Sequence, residues 1–383
     1  MKQNKDIQNK KFILYLPSGA FTDVNQYKDQ GGLLLGFFNQ KFQNYLIASK
    51  IEVAEPIIRF KKIIVNVGGR SLLKRLKESF EVSKTMKEIN PNVVLCWSSP
   101  IATVALIFYT LRRLLALESN KSVWIMKMDS EGREMADTNI FLKVFYHIYL
   151  NVSSILFDLI TIETSCGYDT LLKYLIRYSK LKIVPNSIFG LENLKGSSDS
   201  NTLKEKDISI ITSSAIVKER GLDIIIKAFI IVLNTIKNCN LYIFGPITDK
   251  SLYEDLLNLV TKNNLASHVF FMGSRSHSDF IEKLKVSTIY VSAAYVESFG
   301  IARLEAIKLG VPVICTPAGC AKSLPGCMIF EYGDFTALGN LLLFLIENEE
   351  ERNKLSREAI NLKVPTYDSI VKQLLELTNT SKY

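Results

Sequence analysis

Short β-rich runs alternate with longer amphipathic stretches twice along this chain, and that alternation limits the fold more than any single motif does. In the first half the runs are residues 12–16, 63–67, 93–96, 123–126, 159–162 and 182–184; in the second they are 208–212, 241–244, 269–272, 289–292 and 311–315. Helical periodicity fills the gaps: Leu222, Ile225, Ile226, Phe229, Ile230 and Leu233 follow the i, i+3, i+4, i+7 rule. Strands that alternate with helices are joined by crossovers and so form parallel sheets. Residues 190–206, with Gly-Ser-Ser-Asp-Ser-Asn-Thr at 196–202, hold little that can pack and mark a linker. The expectation is an α/β chain of two Rossmann-like, doubly wound parallel-sheet domains facing a cleft. They comprise residues 1–189 and 207–365, and residues 366–383 form a final helix that crosses back to the first. Ligands of such sheets bind beyond the carboxyl ends of the strands.

Several function classes are excluded by what the chain lacks. Six cysteines are scattered without a Cys-x-x-Cys pair, and only His147, His268 and His277 are present. That distribution suits reduced thiols in the cytoplasm and argues against zinc, a disulfide framework or a His-based triad. The first eleven residues are polar, unlike a signal peptide. The longest apolar stretch, residues 101–117, is interrupted by Arg112 and Arg113 and reads as a buried or surface-lying helix rather than a span.

The net charge of +9 is uneven: residues 1–190 hold 26 Lys and Arg against 16 Asp and Glu, and the remainder 21 against 22. An anionic partner for the first half is implied, such as a membrane surface, a phospholipid carrier or nucleic acid. No nucleic-acid module or basic–aromatic stacking pattern is present, so nucleic acid is not expected. The charge concentrates at Arg70, Lys74, Arg75, Lys77, Lys84 and Lys87, around an apolar helical stripe of Leu72, Leu73, Leu76 and Phe80. Two readings stay open: a helix packed by its stripe with a solvated basic rim, or one resting peripherally on the anionic cytoplasmic leaflet.

Residues 290–317, YVSAAYVESFGIARLEAIKLGVPVICTP, carry the most chemistry. A strand ends near Ala293, a loop holds Glu297, and Ser298 stands where it can cap a helix that Gly310 stops. The amides of Phe299, Gly300 and Ile301 then point out of the helix start and offer a seat for phosphate. Glu297 in the loop and Glu305 two turns into the helix reach different hydroxyl-bearing parts of one extended ligand. With the frame of Phe299, Gly300, Leu304, Ala306, Gly310, Pro312 and Val313, the segment resembles the Glu-x7-Glu signature of glycosyltransferase family 4, whose members have the GT-B fold. The resemblance implies a retaining transfer of sugar from a nucleotide-diphosphate sugar to an acceptor. It also implies that Glu305 holds the ribose and Glu297 the donor sugar. No cofactor beyond the nucleotide sugar and no metal is expected.

Residues 212–221 fall where that family places two cations on the donor diphosphate. Arg220 stands at one position, Ser214 replaces the usual arginine at the other, and Lys218 offers a substitute cation. The Ser214 departure leaves a catalytically silent nucleotide-sugar-binding subunit open, and the fold leaves open a sugar-nucleotide epimerase or a phosphorylase. In the first half, Gly31 and Gly32 end a long loop before the apolar helix 33–38, as in the family's first loop, where glycine lets backbone approach the donor; a tight turn explains them equally. The family often has a histidine after the strand at 123–126. Here Asp129 is the best polar candidate at that sugar end. Asp129 and Glu131 also resemble a metal-binding Asp-x-Asp variant of the single-domain transferase fold, a reading that leaves the Glu297–Glu305 frame unexplained. Acceptors implied by the resemblance include glycans and lipid-linked sugars.

Overall fold

A computed structural model describes residues 10–65, 71–115, 122–129, 139–175, 177–191, 208–319 and 321–380. Most of the expected linker, together with Glu131 and Arg70, lies outside the described residues. The chain divides into two compact units, Met1–Phe189 with Pro365–Tyr383, and Gly190–Val364.

The first unit contains β1 (Lys11–Thr22), α1 (Asp29–Asn39), β2 (Gln43–Glu52), β3 (Lys61–Ile64), α2 (Leu72–Ile89), β4 (Val93–Trp97), α3 (Pro100–Leu115), β5 (Val123–Met128), α4 (Ile140–Leu156), β6 (Leu159–Ile162), α5 (Ser165–Leu172) and β7 (Leu181–Ile183). Its strands are parallel and ordered β3-β2-β1-β4-β5-β6-β7. Strand β2 was not among the expected runs. Its residues 44–48 are all buried, with Tyr45 and Ile47 in the core on one face and Leu46 and Ala48 in the core on the other. A strand covered on both faces loses the alternation that marks a half-exposed one.

Helices α2, α3, α4 and α5 share one of those cores. Helix α2 buries Glu78, Ser79, Val82, Ser83 and Met86, whereas Leu72, Leu73, Leu76 and Phe80 are exposed. Of the stripe read from the sequence, only Phe80 meets a neighbouring ring, edge-on to Phe108 at 5.8 Å, and the core is met by a different face of the helix.

The second unit contains β8 (Ile208–Ser213), α6 (Leu222–Thr235), β9 (Cys239–Phe244), α7 (Lys250–Lys262), β10 (Val269–Gly273), α8 (His277–Lys285), β11 (Ile289–Ser292), α9 (Ile301–Lys308), β12 (Val313–Cys315), β13 (Cys327–Ile329), α10 (Phe335–Glu347) and α11 (Glu349–Ile360). Its parallel order is β10-β9-β8-β11-β12-β13. Strand β13, three residues long, was also not anticipated. Helix α6 buries Leu222, Ile225, Ile226, Phe229 and Leu233 of the stripe its periodicity predicts and leaves Ile230 half-buried. Strand order reverses between β8 and β11, so the loops leaving these two strands part at the switch point where such sheets bind ligands.

The last helix, α12 (Tyr367–Thr380), packs in the first unit beside α1. A Cβ on Gly32 would strike the Tyr367 ring, and one on Gly36 would lie 2.6 Å from Val371 Cγ2. The Tyr367 hydroxyl donates to the Ser187 carbonyl at 3.2 Å, and the Asn39 amide to Asp368 at 2.9 Å.

Candidate functional site

At the switch point of the second unit, the loops after β8 and β11 are tied together by backbone. The Tyr295 amide donates to the Glu219 carbonyl at 2.7 Å. Gly221, with φ 61°, lies so close to the Ala293 carbonyl that a Cβ would collide with it. Only glycine meets both the left-handed backbone and the close approach. This contact brings Arg220 over the second loop, where its Nη1 donates to Glu297 Oε2 at 2.8 Å and to the Val296 carbonyl at 3.3 Å. Both side chains stay partly exposed, at 31% and 21%. Two residues 77 positions apart thus form one charged pair at the mouth of the switch point.

Helix α9 begins differently from the sequence expectation. Its N-cap is Gly300, in the left-handed region at φ 74°, and no side chain caps it; Ser298 does not take that position. The amides of Phe299, Gly300 and Ile301 have no acceptor among the described residues. With the helix dipole behind them, they form an electropositive seat. Behind the loop lies Arg303, a residue sequence reasoning did not select. It is buried, and its guanidinium donates to the Ala318 carbonyl at 3.0 Å and the Phe299 carbonyl at 3.3 Å, which braces the turn. Its position inside the motif frame was visible, but its inward direction was not.

Glu305 is only 3% exposed, and its Oε1 lies 2.7 Å from Nε2 of His277, the first residue of α8. His277 was also missed, since no local pattern links residues 28 apart. Of the other expected donor residues, Lys218 is exposed and has no partner among the described residues. The Ser214 hydroxyl is buried without a partner, and the Ser214 carbonyl lies against Gly245, at φ 138°, where a Cβ would collide. An orphaned buried hydroxyl invites a ligand or water to complete it.

The first unit gathers a second charged group at its own carboxyl edge. Lys127, in β5, is buried and its ammonium contacts three carboxylates: Asp29 at 3.3 Å, Asp129 at 2.5 Å, and Glu163. Trp97 Nε1 donates to Asp129, and the Asn186 amide donates to Glu163. The three carboxylates could together hold a metal ion, since one oxygen of each lies within 4.8 Å of the others. The Lys127 ammonium already sits among them as their cation, and so competes with any such ion.

Burial disfavours the charged form of every member, and the outcome depends on the neighbours. Burial acts to lower the Lys127 pKa, but Asp129, Glu163 and Asp29 outweigh it and hold the ammonium charged. Burial acts to raise the Asp129 pKa, yet Lys127 and hydrogen bonds bring it below the usual range. Glu163 is lifted to about 8 by burial, with Lys127 opposing, and Asp29 is also raised by burial. Of the three carboxylates, Asp129 is the one whose acidity its surroundings increase.

Gly31 and Gly32 sit in the first turn of α1 rather than at the end of a loop. A Cβ on Gly31 would strike the Gln26 carbonyl, and Gly32 faces Tyr367, so packing requires both glycines.

Comparison with known proteins locates the resemblance. Residues 196–362 match the family described as glycosyl transferases group 1. The chain is 30% identical over 109 residues to the UDP-N-acetylglucosamine–peptide N-acetylglucosaminyltransferase GtfA subunit of Limosilactobacillus reuteri subsp. suis, covering 28% of this chain and 20% of that one. It is 27% identical over 214 residues to the capsular polysaccharide biosynthesis glycosyltransferase CapM of Staphylococcus aureus, covering 52% and 54%. It thus spans about half the length, or less, of these relatives. Among solved structures, sucrose-phosphate synthase from Thermosynechococcus elongatus is similar with a TM-score of 0.73 at 13% identity, covering 97% of this chain and 99% of that one. Anabaena HepE in complex with UDP and glucose is similar with a TM-score of 0.72 at 16% identity, covering 97% and 100%. The fold is GT-B.

Proposed function

We propose that this chain is a retaining, metal-independent glycosyltransferase of the family 4 type, moving a sugar from a nucleotide-diphosphate sugar to a glycan or lipid-linked acceptor. The observation that carries the reading is the Arg220–Glu297 pair set beside the acceptor-free amides at the start of α9, inside the group 1 segment. As the bond from the sugar's anomeric carbon to the diphosphate breaks, negative charge grows on the leaving group. Arg220, Lys218 and the amides of Phe299, Gly300 and Ile301 stabilise that charge. Arg220 then exchanges Glu297 for phosphate, which frees Glu297 for the hydroxyls of the donor sugar. Glu305, held by His277, takes the ribose hydroxyls. In the first unit, Asp129 is the carboxylate assigned to the sugar end.

Donor screening of the purified protein, following nucleotide release, tests this reading. UDP-N-acetylglucosamine and UDP-glucose come first, because GtfA is named for the former and HepE was solved with UDP and glucose. Transfer with retained anomeric configuration is expected, at full rate in EDTA. Loss in EDTA that Mg²⁺ or Mn²⁺ restores would return the case to Asp129 and a metal. Ser214 and its unpartnered hydroxyl favour one second reading, a silent binding subunit. Donor binding by calorimetry with no turnover on any acceptor is its signature.

A further inference from the structure

Helices α2 and α4 expose apolar surface that no neighbour among the described residues covers. From Leu72 to Lys77 no residue of α2 is buried, and Leu72 and Leu73 are 73% and 79% exposed. From Ile140 to Ile148 no residue of α4 is buried either; Ile140 and Phe141 are 67% and 83% exposed, with Val144, Phe145 and Ile148 each more than half exposed. A helix on a globular surface ordinarily turns its apolar stripe inward. Both helices do so only in their later turns, through Val82 and Met86 in α2 and Tyr149 and Leu150 in α4. Those four residues share one core with α3, so the two helices lie on the same face of the sheet. Both run between parallel strands, so their early turns lie toward the same carboxyl edge. Apolar exposure on this scale, densest in the early turns of these two helices, marks an interaction surface.

The charges beside it identify the occupant. Lys74, Arg75 and Lys77 are exposed among the leucines of α2, while the nearest acid, Glu78, is buried and accepts a hydrogen bond from Tyr15 at 3.5 Å. On α4 the ionisable residues are Lys143 and His147, with no Asp or Glu from 139 to 157. A second copy of this chain would bring the same cations face to face. An anionic leaflet supplies both what the apolar side chains and what the cations need. No helix among the described residues is long and apolar enough to cross a membrane, and an exposed amphipathic helix instead meets a bilayer at its surface. We propose that the early turns of α2 and α4 dock on an anionic lipid bilayer. Phe141, Phe145 and Ile148 enter the acyl boundary, and Lys74, Arg75 and Lys77 meet the headgroups. The inference does not depend on the transferase reading, since vesicle binding needs neither donor nor acceptor.

Sedimentation of the full chain with vesicles tests it. Binding to phosphatidylcholine–phosphatidylglycerol vesicles at low salt is expected, weakening as salt screens the cations, with little binding to phosphatidylcholine alone. Each cation near the leaflet is worth roughly fivefold in partitioning, so the K74Q/R75Q/K77Q variant should bind about a hundredfold more weakly. F141S/F145S/I148S should lose at least about tenfold through lost apolar burial. These positions are exposed, so unchanged thermal melting serves as the folding control. Phe141→Trp gives a second readout that removes no apolar surface: its fluorescence should shift to the blue on anionic vesicles only. Wild-type indifference to phosphatidylglycerol, or an unshifted Trp spectrum, overturns the proposal. So does a dimer in solution that F141S/F145S/I148S dissolves, which would assign the face to a second copy.

Discussion

The two carboxyl edges solve the problem of placing charge in opposite ways. In the second unit Arg220 and Glu297 are partly open to solvent, at 31% and 21%, and the pair they form can be exchanged for a ligand. In the first unit Lys127, Asp29 and Glu163 are closed off, with side chains 6%, 9% and 2% exposed, and only Asp129, at 32%, reaches solvent. A half-open pair costs little to break and is suited to binding; a buried one is costly to break and fixes the backbone around it. This contrast is why the proposed reading places donor chemistry at the second edge. At the first edge, the network's chief effect is to hold Asp129 in place and make it more acidic.

Lys127→Met probes this contrast with the largest expected effect. Leaving three carboxylates around an apolar side chain should destabilise the first unit by about 3–5 kcal/mol, read by urea unfolding. A loss below about 1 kcal/mol would mean that the network behaves like a surface pair and would erase the contrast. Arg220→Ala should do the reverse. It should change stability by less than about 1 kcal/mol, yet slow transfer by about 10²–10³-fold if the guanidinium stabilises the leaving diphosphate. Equal transfer rates in wild type and variant would remove Arg220 from the chemistry.

Glu305→Gln sharpens the comparison within the second unit. A charge-assisted hydrogen bond to a ligand is worth about 1.5–3 kcal/mol, so donor affinity by calorimetry should fall about tenfold to a hundredfold. His277→Ala should weaken donor binding less and in the same direction, since His277 acts through Glu305.

The smallest effect is a pH slope. Glu163 has a folded pKa of about 8 against 4.5 for the free side chain. The unfolded chain therefore releases this proton first as pH rises, and the stability tied to the protonated form is lost from about pH 4.5 through about pH 8. Asp29, also raised, adds the same sign; Asp129, lowered, acts only at more acidic pH. Denaturant midpoints should fall between about pH 5 and about pH 9, and Glu163→Gln should flatten part of that fall. An unchanged slope in the variant would place the titration elsewhere.

Much of the second unit was legible because its signals are local. Glu297, the amides at 299–301 and Glu305 lie within nine residues, and Gly221 and Gly300 mark positions that backbone geometry demands. Even there the cap was misread. Ser298 has the right chemistry for an N-cap, but the turn off β11 needs a left-handed residue, and Gly300 supplies it.

The chain's periodicity determined two series of parallel strands with crossover helices, and its motif frame determined where the second sheet presents its amides. Those features depend on residues a few positions apart, so they survive without knowledge of the rest of the molecule. Tertiary structure alone decided which charges meet. Asp29, Trp97, Asp129, Glu163 and Asn186 converge near Lys127 from five separate segments, and only the sheet order β1-β4-β5-β6 brings those segments together. Tertiary structure also decided which apolar faces stay bare. The sequence shows that α2 and α4 have apolar residues in their first turns, but whether these meet a core depends on how far each helix runs beyond the sheet it covers.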